Sequence, residues 1–157
     1  MDNSSFKPDS LRMISLNVRG IGNFRKRRAM FTWCRKQKAD VIFLQETHST
    51  ENCESQWKKE WGSLISFSNG TSNARGVAVL FKSKLDIVIM QELTDCKGRL
   101  LVLNVKIKDK SYGLVNVYGQ NKDGEAVRFY QNLSLTMQKM DLDGDDNVII
   151  GGDFNCP

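Results

Sequence analysis

Gly151-Gly152-Asp153-Phe154-Asn155 follows Asn147-Val148-Ile149-Ile150 near the end of a chain of 157 residues. The β-branched run predicts a strand that delivers an acid and an amide, two positions apart, onto a tight turn. The two glycines let neighbouring groups come close. An acid and an amide held on such a turn can aim a water molecule at an electrophile.

Working back from this segment, other strands end in the same way. Residues 13–18 alternate toward a strand that closes on Asn17-Val18-Arg19-Gly20. Val41-Ile42-Phe43-Leu44 is continuously apolar, as a strand buried on both faces requires, and runs into Gln45-Glu46-Thr47-His48. Residues 111–118 end at Tyr118. Four apolar runs thus deliver Asn17, Glu46, Tyr118 and the Asp153/Asn155 pair to turns. In layered α/β proteins ligand sites gather at strand ends, on loops held by a rigid scaffold. Two carboxylates at neighbouring ends can share Mg²⁺, which takes hard oxygen ligands and retains waters.

Between these points the pattern predicts a helix over 25–38 capped by Asn23, with Trp33 and Cys34 on its buried stripe. Strands are expected at 64–68, 76–81, 86–93, 99–108 and 111–118, joined by short polar turns. A second helical stripe, Ala126, Phe129, Tyr130, Leu133, Met137 and Met140, has Asp123 as its candidate cap. Trp57 and Trp61 fall in a polar stretch and are left open between packing and base stacking. Helices join the early and late strands while the middle strands read as hairpins. The fold class is therefore α/β, a sandwich with mixed or antiparallel sheets. Residues 1–10 read as a disordered leader.

Composition excludes several classes. No apolar run is long enough to span a bilayer, and the polar N-terminus lacks a signal core, so neither a membrane span nor secretion is expected. A nuclear or cytoplasmic location follows. Four scattered cysteines and one histidine argue against zinc and for free thiols. A net charge of +5 favours a polyanionic partner. The cluster Arg25-Lys26-Arg27-Arg28, with Arg19 nearby, is the candidate nucleic-acid contact. Residues 141–146 fail the calcium-loop pattern and read as a polar turn.

Ser15-Leu16-Asn17-Val18-Arg19-Gly20, Gln45-Glu46-Thr47-His48, Asn116-Val117-Tyr118 and Gly152-Asp153-Phe154-Asn155 occur in the order of the endonuclease/exonuclease/phosphatase superfamily. Within it the chain resembles the endonuclease domain of LINE-type (non-LTR) retrotransposons. The resemblance implies a four-layer α/β sandwich with two facing sheets and Mg²⁺-dependent (or Mn²⁺-dependent) hydrolysis of a phosphodiester in DNA. It implies a reverse transcriptase domain in the same polyprotein. By the same resemblance Glu46 is the main metal ligand with Asn17 beside it. Asp153 deprotonates the attacking water, Asn155 positions water or phosphate, and Tyr118 hydrogen-bonds a phosphate oxygen.

Two departures qualify this. Gln120 stands where the retrotransposon branch carries Pro, which predicts a less firmly placed Tyr118. The family's C-terminal Asp-His pair is absent. Residues 11–157 are therefore expected to be the N-terminal portion of one domain, weakly active or inactive, and poorly soluble through an exposed sheet face or edge. His48 belongs to the Gln-Glu-Thr-His string and does not replace the missing histidine. The competing readings are a non-catalytic remnant that only binds nucleic acid, and an abasic-site endonuclease or phosphatase of the same superfamily.

Overall fold

The computed structural model describes residues 10–120, 122–140, 142 and 147–156. The expected leader over 1–9, and the turn at 141–146 apart from Leu142, lie outside them. The chain begins with strand β1 (Met13–Asn17), helix α1 (Phe24–Lys36) and strand β2 (Val41–Gln45). A short 3-10 turn (Glu51–Cys53) leads into helix α2 (Glu54–Trp61) and strands β3 (Ile65–Ser68) and β4 (Val77–Phe81). Then come strands β5 (Ile87–Thr94), β6 (Leu100–Ile107) and β7 (Lys110–Tyr118), helix α3 (Asp123–Lys139) and strand β8 (Val148–Asp153).

The strands form two four-stranded mixed sheets, ordered β1-β2-β4-β3 and β5-β6-β7-β8. In the first, β1 and β2 run parallel, as a strand–helix–strand unit demands, and β4 is antiparallel to β2 and β3. In the second, β5, β6 and β7 are successive antiparallel neighbours, and β8 returns parallel to β7 after α3. This is the expected division between helix-linked outer strands and hairpin-linked middle ones.

Alternation along each strand sorts side chains into layers. Val41 and Phe43 of β2, with Val77, Val79 and Phe81 of β4, meet Leu101, Leu103, Val105 and Leu114 between the sheets. Ile42 and Leu44 face the other way, onto Phe31, Cys34, Trp57 and Trp61 of α1 and α2. Leu100, Val102, Val115 and Val117 pack under Phe129 and Leu133 of α3. The result is a helix–sheet–sheet–helix sandwich of four layers.

Local rules set the helices. The Asn23 side chain accepts from the Lys26 N–H at 3.1 Å and caps α1. The cap position of α3 falls on Lys122, one residue before Asp123, and its side chain makes no capping bond. Trp33 departs from the sequence expectation. Trp33 is 44% exposed, because the buried stripe of α1 is Arg27, Phe31 and Cys34, and Trp33 is rotated about 100° from Cys34. Trp57 and Trp61, left open above, are buried, and the Trp61 indole N–H donates to the Phe81 carbonyl at 2.8 Å.

All four cysteines are free, and burial pushes the Cys34 thiol up to about 11. Val88 and Met90 on β5 and Ile150 on β8 are exposed. Among the described residues no helix is long and apolar enough to cross a membrane.

Candidate active site

Parallel pairing of β1 with β2, and of β7 with β8, puts four strand ends side by side. Asn17 is level with Gln45, and Tyr118 with Asp153. The two sheets meet along β1 and β2 against β8, so both pairs open onto one surface. The Gly151-Gly152 step makes this approach possible. A side chain at Gly151 would strike the ring of Phe43. At Gly152, with φ of +142°, it would collide with the Val117 carbonyl. The glycines therefore make room for the facing sheet and the adjacent strand.

At this junction Asn17 Nδ2 donates both to Glu46 Oε1 at 2.8 Å and to Asp153 Oδ2 at 2.9 Å. The bond to Asp153 joins residues 136 positions apart. The Tyr118 hydroxyl donates to the same Glu46 oxygen at 2.9 Å. Burial, and then the bond to Glu46 and its negative charge, push this phenol up to about 12, so Tyr118 is a proton-bearing donor at neutral pH. Glu46 adopts a left-handed backbone, φ 52°, immediately after β2 ends. Strain of this kind persists where surrounding structure enforces it, and it clusters at functional sites.

Asn155 also has positive φ, 47°. Its N–H donates to Asp153 Oδ1 at 3.2 Å, and its amide nitrogen donates to the Gly119 carbonyl at 3.0 Å. Tyr118 is not loosely placed. Its N–H donates to the Arg99 carbonyl at 2.8 Å, and the Arg99 guanidinium lies 4.9 Å from its ring centre. Gly119 N–H donates to the Asp153 carbonyl at 2.7 Å, and Arg99 Nη1 to the Gly119 carbonyl at 2.8 Å. Gln120, where the relatives' Pro was expected, accepts from Arg99 Nε at 3.1 Å when its amide oxygen is turned to that donor.

Beneath the surface lie two residues that the sequence motifs contain but to which the sequence reading gives no role. Gln45 Nε2 donates to Ser15 Oγ at 3.1 Å and to Asn116 Oδ1 at 2.9 Å. Asn116 Nδ2 donates to the carbonyls of Leu44 and Ala78 at 3.0 and 2.9 Å, fastening β7 to the opposite sheet. The available signal was a Gln and an Asn interrupting apolar strands. Arg99, a third omission, left no signal beyond its place at a strand start.

The basic residues divide. Arg19, Arg25, Lys26 and Arg28 are exposed. Arg27 does not join that surface. It is buried, paired with Glu60 at 2.6 Å, and donates to the Ile21 and Gly22 carbonyls. A buried guanidinium needs such partners, and this one is structural. His48 donates its backbone N–H to the Arg75 carbonyl at 2.8 Å.

The donor set bears on a metal ion. Glu46 and Asp153 sit on either side of a neutral amide, and neither forms a salt bridge among the described residues. Two uncompensated carboxylates with free lone pairs favour a cation. Among the described residues no group of three His, Cys, Asp or Glu side chains converges. One or two carboxylates plus water suits Mg²⁺ better than zinc. Asn17 is placed differently from the expected ligand. Its nitrogen faces the acids while its oxygen accepts the Arg19 N–H at 3.0 Å.

Residues 14–157 match the model of the Endonuclease/Exonuclease/phosphatase family. The chain belongs to this family. The chain is 34% identical over 146 residues to a Xenopus laevis protein, the transposon TX1 uncharacterized 149 kDa protein. That match covers 93% of the chain and 11% of the relative, so the chain spans about a tenth of that protein. Among solved structures, humanized D. rerio TDP2 aligns with a TM-score of 0.66 at 23% identity, over 94% of the chain and 63% of TDP2. The endonuclease domain of TRAS1, a telomere-specific non-LTR retrotransposon, aligns with a TM-score of 0.63 at 18% identity, over 94% of the chain and 61% of that domain. At these identities the two structures establish the fold.

Proposed function

We propose that this chain is part of the DNA endonuclease of a retrotransposon and hydrolyses a phosphodiester, weakly by itself, with the help of Mg²⁺ or Mn²⁺. The observation that carries this reading is the single Asn17 amide held between Glu46 and Asp153. Two carboxylates gathered with no ion-pair partner among the described residues fit a cation-assisted reaction on an anionic substrate. The similarity to transposon TX1 supports a retroelement source, in which a reverse transcriptase domain would accompany this one.

Glu46 would hold the ion, which when bound supplies neutralisation of the phosphate and of the leaving oxygen. Asn17 orients the two carboxylates by donating to both. Asp153 accepts the proton of the attacking water, and the Asn155 N–H on its other oxygen keeps that carboxylate in place. Tyr118, protonated at neutral pH, turns its one O–H from Glu46, whose oxygen the ion then takes, to a phosphate oxygen as charge grows there. Asn155 braces the loop through Gly119 and leaves its own amide oxygen for the water. Arg99, stacked on Tyr118, adds positive charge beside the phosphate.

A supercoiled-plasmid nicking assay tests this. Nicking is expected with Mg²⁺ or Mn²⁺, is stopped by EDTA, and is lost in Glu46→Ala and in Asp153→Ala. Nicking that survives both substitutions would place the chemistry elsewhere. DNA binding without nicking at any concentration of either ion would favour the non-catalytic reading.

A further inference from the structure

Helix α1 carries six Arg or Lys residues in 13 and no acid. Two of the six are occupied inside the fold: Arg27 by Glu60, and Arg35 by the Glu60 and Trp61 carbonyls at 2.7 and 3.0 Å. Arg25, Arg28 and Lys36 form no side-chain hydrogen bond or ion pair among the described residues and are exposed. They recur at helical spacing, three and eight apart, and with Phe24, Thr32 and Trp33 line one shallow groove.

Two large aromatic rings on this face are open to solvent, Phe24 at 51% and Trp33 at 44%. Neither belongs to the buried face of α1, which is Arg27, Phe31 and Cys34, although the Arg27 guanidinium lies 5.9 Å from the Phe24 ring centre. Exposed aromatics interleaved with cations form the surface on which unpaired bases stack while phosphates pair with the cations. An acidic peptide would use the cations but leave the rings exposed. Duplex DNA would use the cations but keep its bases stacked within the helix.

Hydrogen bonds also link helix α1 to the candidate active site. Lys26 Nζ donates to the Arg19 carbonyl at 2.8 Å, and the Arg19 N–H donates to Asn17 Oδ1 at 3.0 Å. The first turn of α1 is thereby tied to the loop that carries Asn17. We propose that the outer face of α1 is a second nucleic-acid site, which takes single-stranded DNA leading away from the catalytic pocket. Its bases stack on Trp33 and Phe24, and its phosphates lie against Arg25, Arg28 and Lys36. The choice of DNA rests on the endonuclease reading; the stacking surface itself does not.

The test is direct binding of oligo(dT) 12-mers to the 157-residue chain in EDTA, read by tryptophan fluorescence and by anisotropy of a labelled oligomer. Trp57 and Trp61 are buried, so quenching reports Trp33. Saturating oligo(dT) should quench this emission, and Trp33→Ala should weaken binding about tenfold. Arg28→Glu should weaken it further and lower the slope of log K against log salt by about 0.7. Both residues are exposed, so thermal melts of the two variants should match the parent. Plasmid nicking, measured separately, should persist in Trp33→Ala, so failure here and failure of the endonuclease reading are told apart. Unchanged affinity in both variants, or saturation without quenching, would overturn the proposal. So would equally tight binding of poly-glutamate, or a tenfold preference for oligo(rU).

Discussion

Gln45 of the first sheet donates an amide hydrogen to Asn116 Oδ1 of the second at 2.9 Å, with both side chains buried. Asn116 then donates to the Leu44 and Ala78 carbonyls, so one amide joins three strands under the candidate site. Asn116→Ala leaves these groups without that partner. A loss of about 1–3 kcal/mol in urea unfolding is expected, at unchanged m-value. Pairing it with Gln45→Leu should recover part of that loss, because both ends of the central bond are then removed. Full additivity of the two substitutions would mean that they do not act as a unit.

Tyr118→Phe removes one hydrogen bond to Glu46 and leaves the ring under Arg99. Stability should fall by only about 0.5–1.5 kcal/mol. The nicking rate should fall far more, about 10²–10³-fold, as expected for removing a donor to developing charge. A rate equal to the parent's would remove Tyr118 from the mechanism.

Much of this site was legible because its residues sit where strands stop. Apolar runs announce strands, and Asn17, Glu46, Tyr118 and Asp153 are the polar residues at or just past their ends. The four-layer arrangement was legible through motif resemblance together with the change from helix-linked to hairpin-linked strands. What could not be read was pairing across long separations. Nothing near Arg27 marks Glu60 as its partner, so it was grouped with its exposed neighbours. Helical spacing puts Trp33 beside Cys34 on one stripe, yet the stripe that is buried runs through Arg27, Phe31 and Cys34 and turns Trp33 outward. The departure at Gln120 suggested a loose Tyr118, but the hold comes from Arg99, which lies 19 residues away from it.

Arg27 and Glu60 set an acid limit. The hydrogen bonds from Arg27 hold the Glu60 carboxyl below its ordinary value of 4.5. A depressed carboxylate contributes stability that is present above the unfolded value and is lost as pH falls through the folded one. The melting temperature should therefore decline below about pH 4.5. In Glu60→Gln the neutral-pH melting temperature should be lower and the acid decline shallower. An identical acid limb in both proteins would assign that limb to other carboxylates.

Gly152→Ala tests the junction of β7 and β8. Its φ of +142° and the closeness of the Val117 carbonyl leave no room for a methyl group. A cost of about 1–3 kcal/mol is expected from the backbone alone, with the clash adding to it. Because Asp153 follows directly, binding of divalent ions should weaken in parallel with stability. A variant as stable as the parent would show that β8 can shift, and that the strand register described above is not enforced here.

Mn²⁺ binding followed by electron paramagnetic resonance reads an ion at Glu46 and Asp153 without requiring turnover. One saturable site is expected, displaced by Mg²⁺, lost in Glu46→Gln and weakened in Asp153→Asn. Binding that is unaffected by Glu46→Gln would contradict this placement.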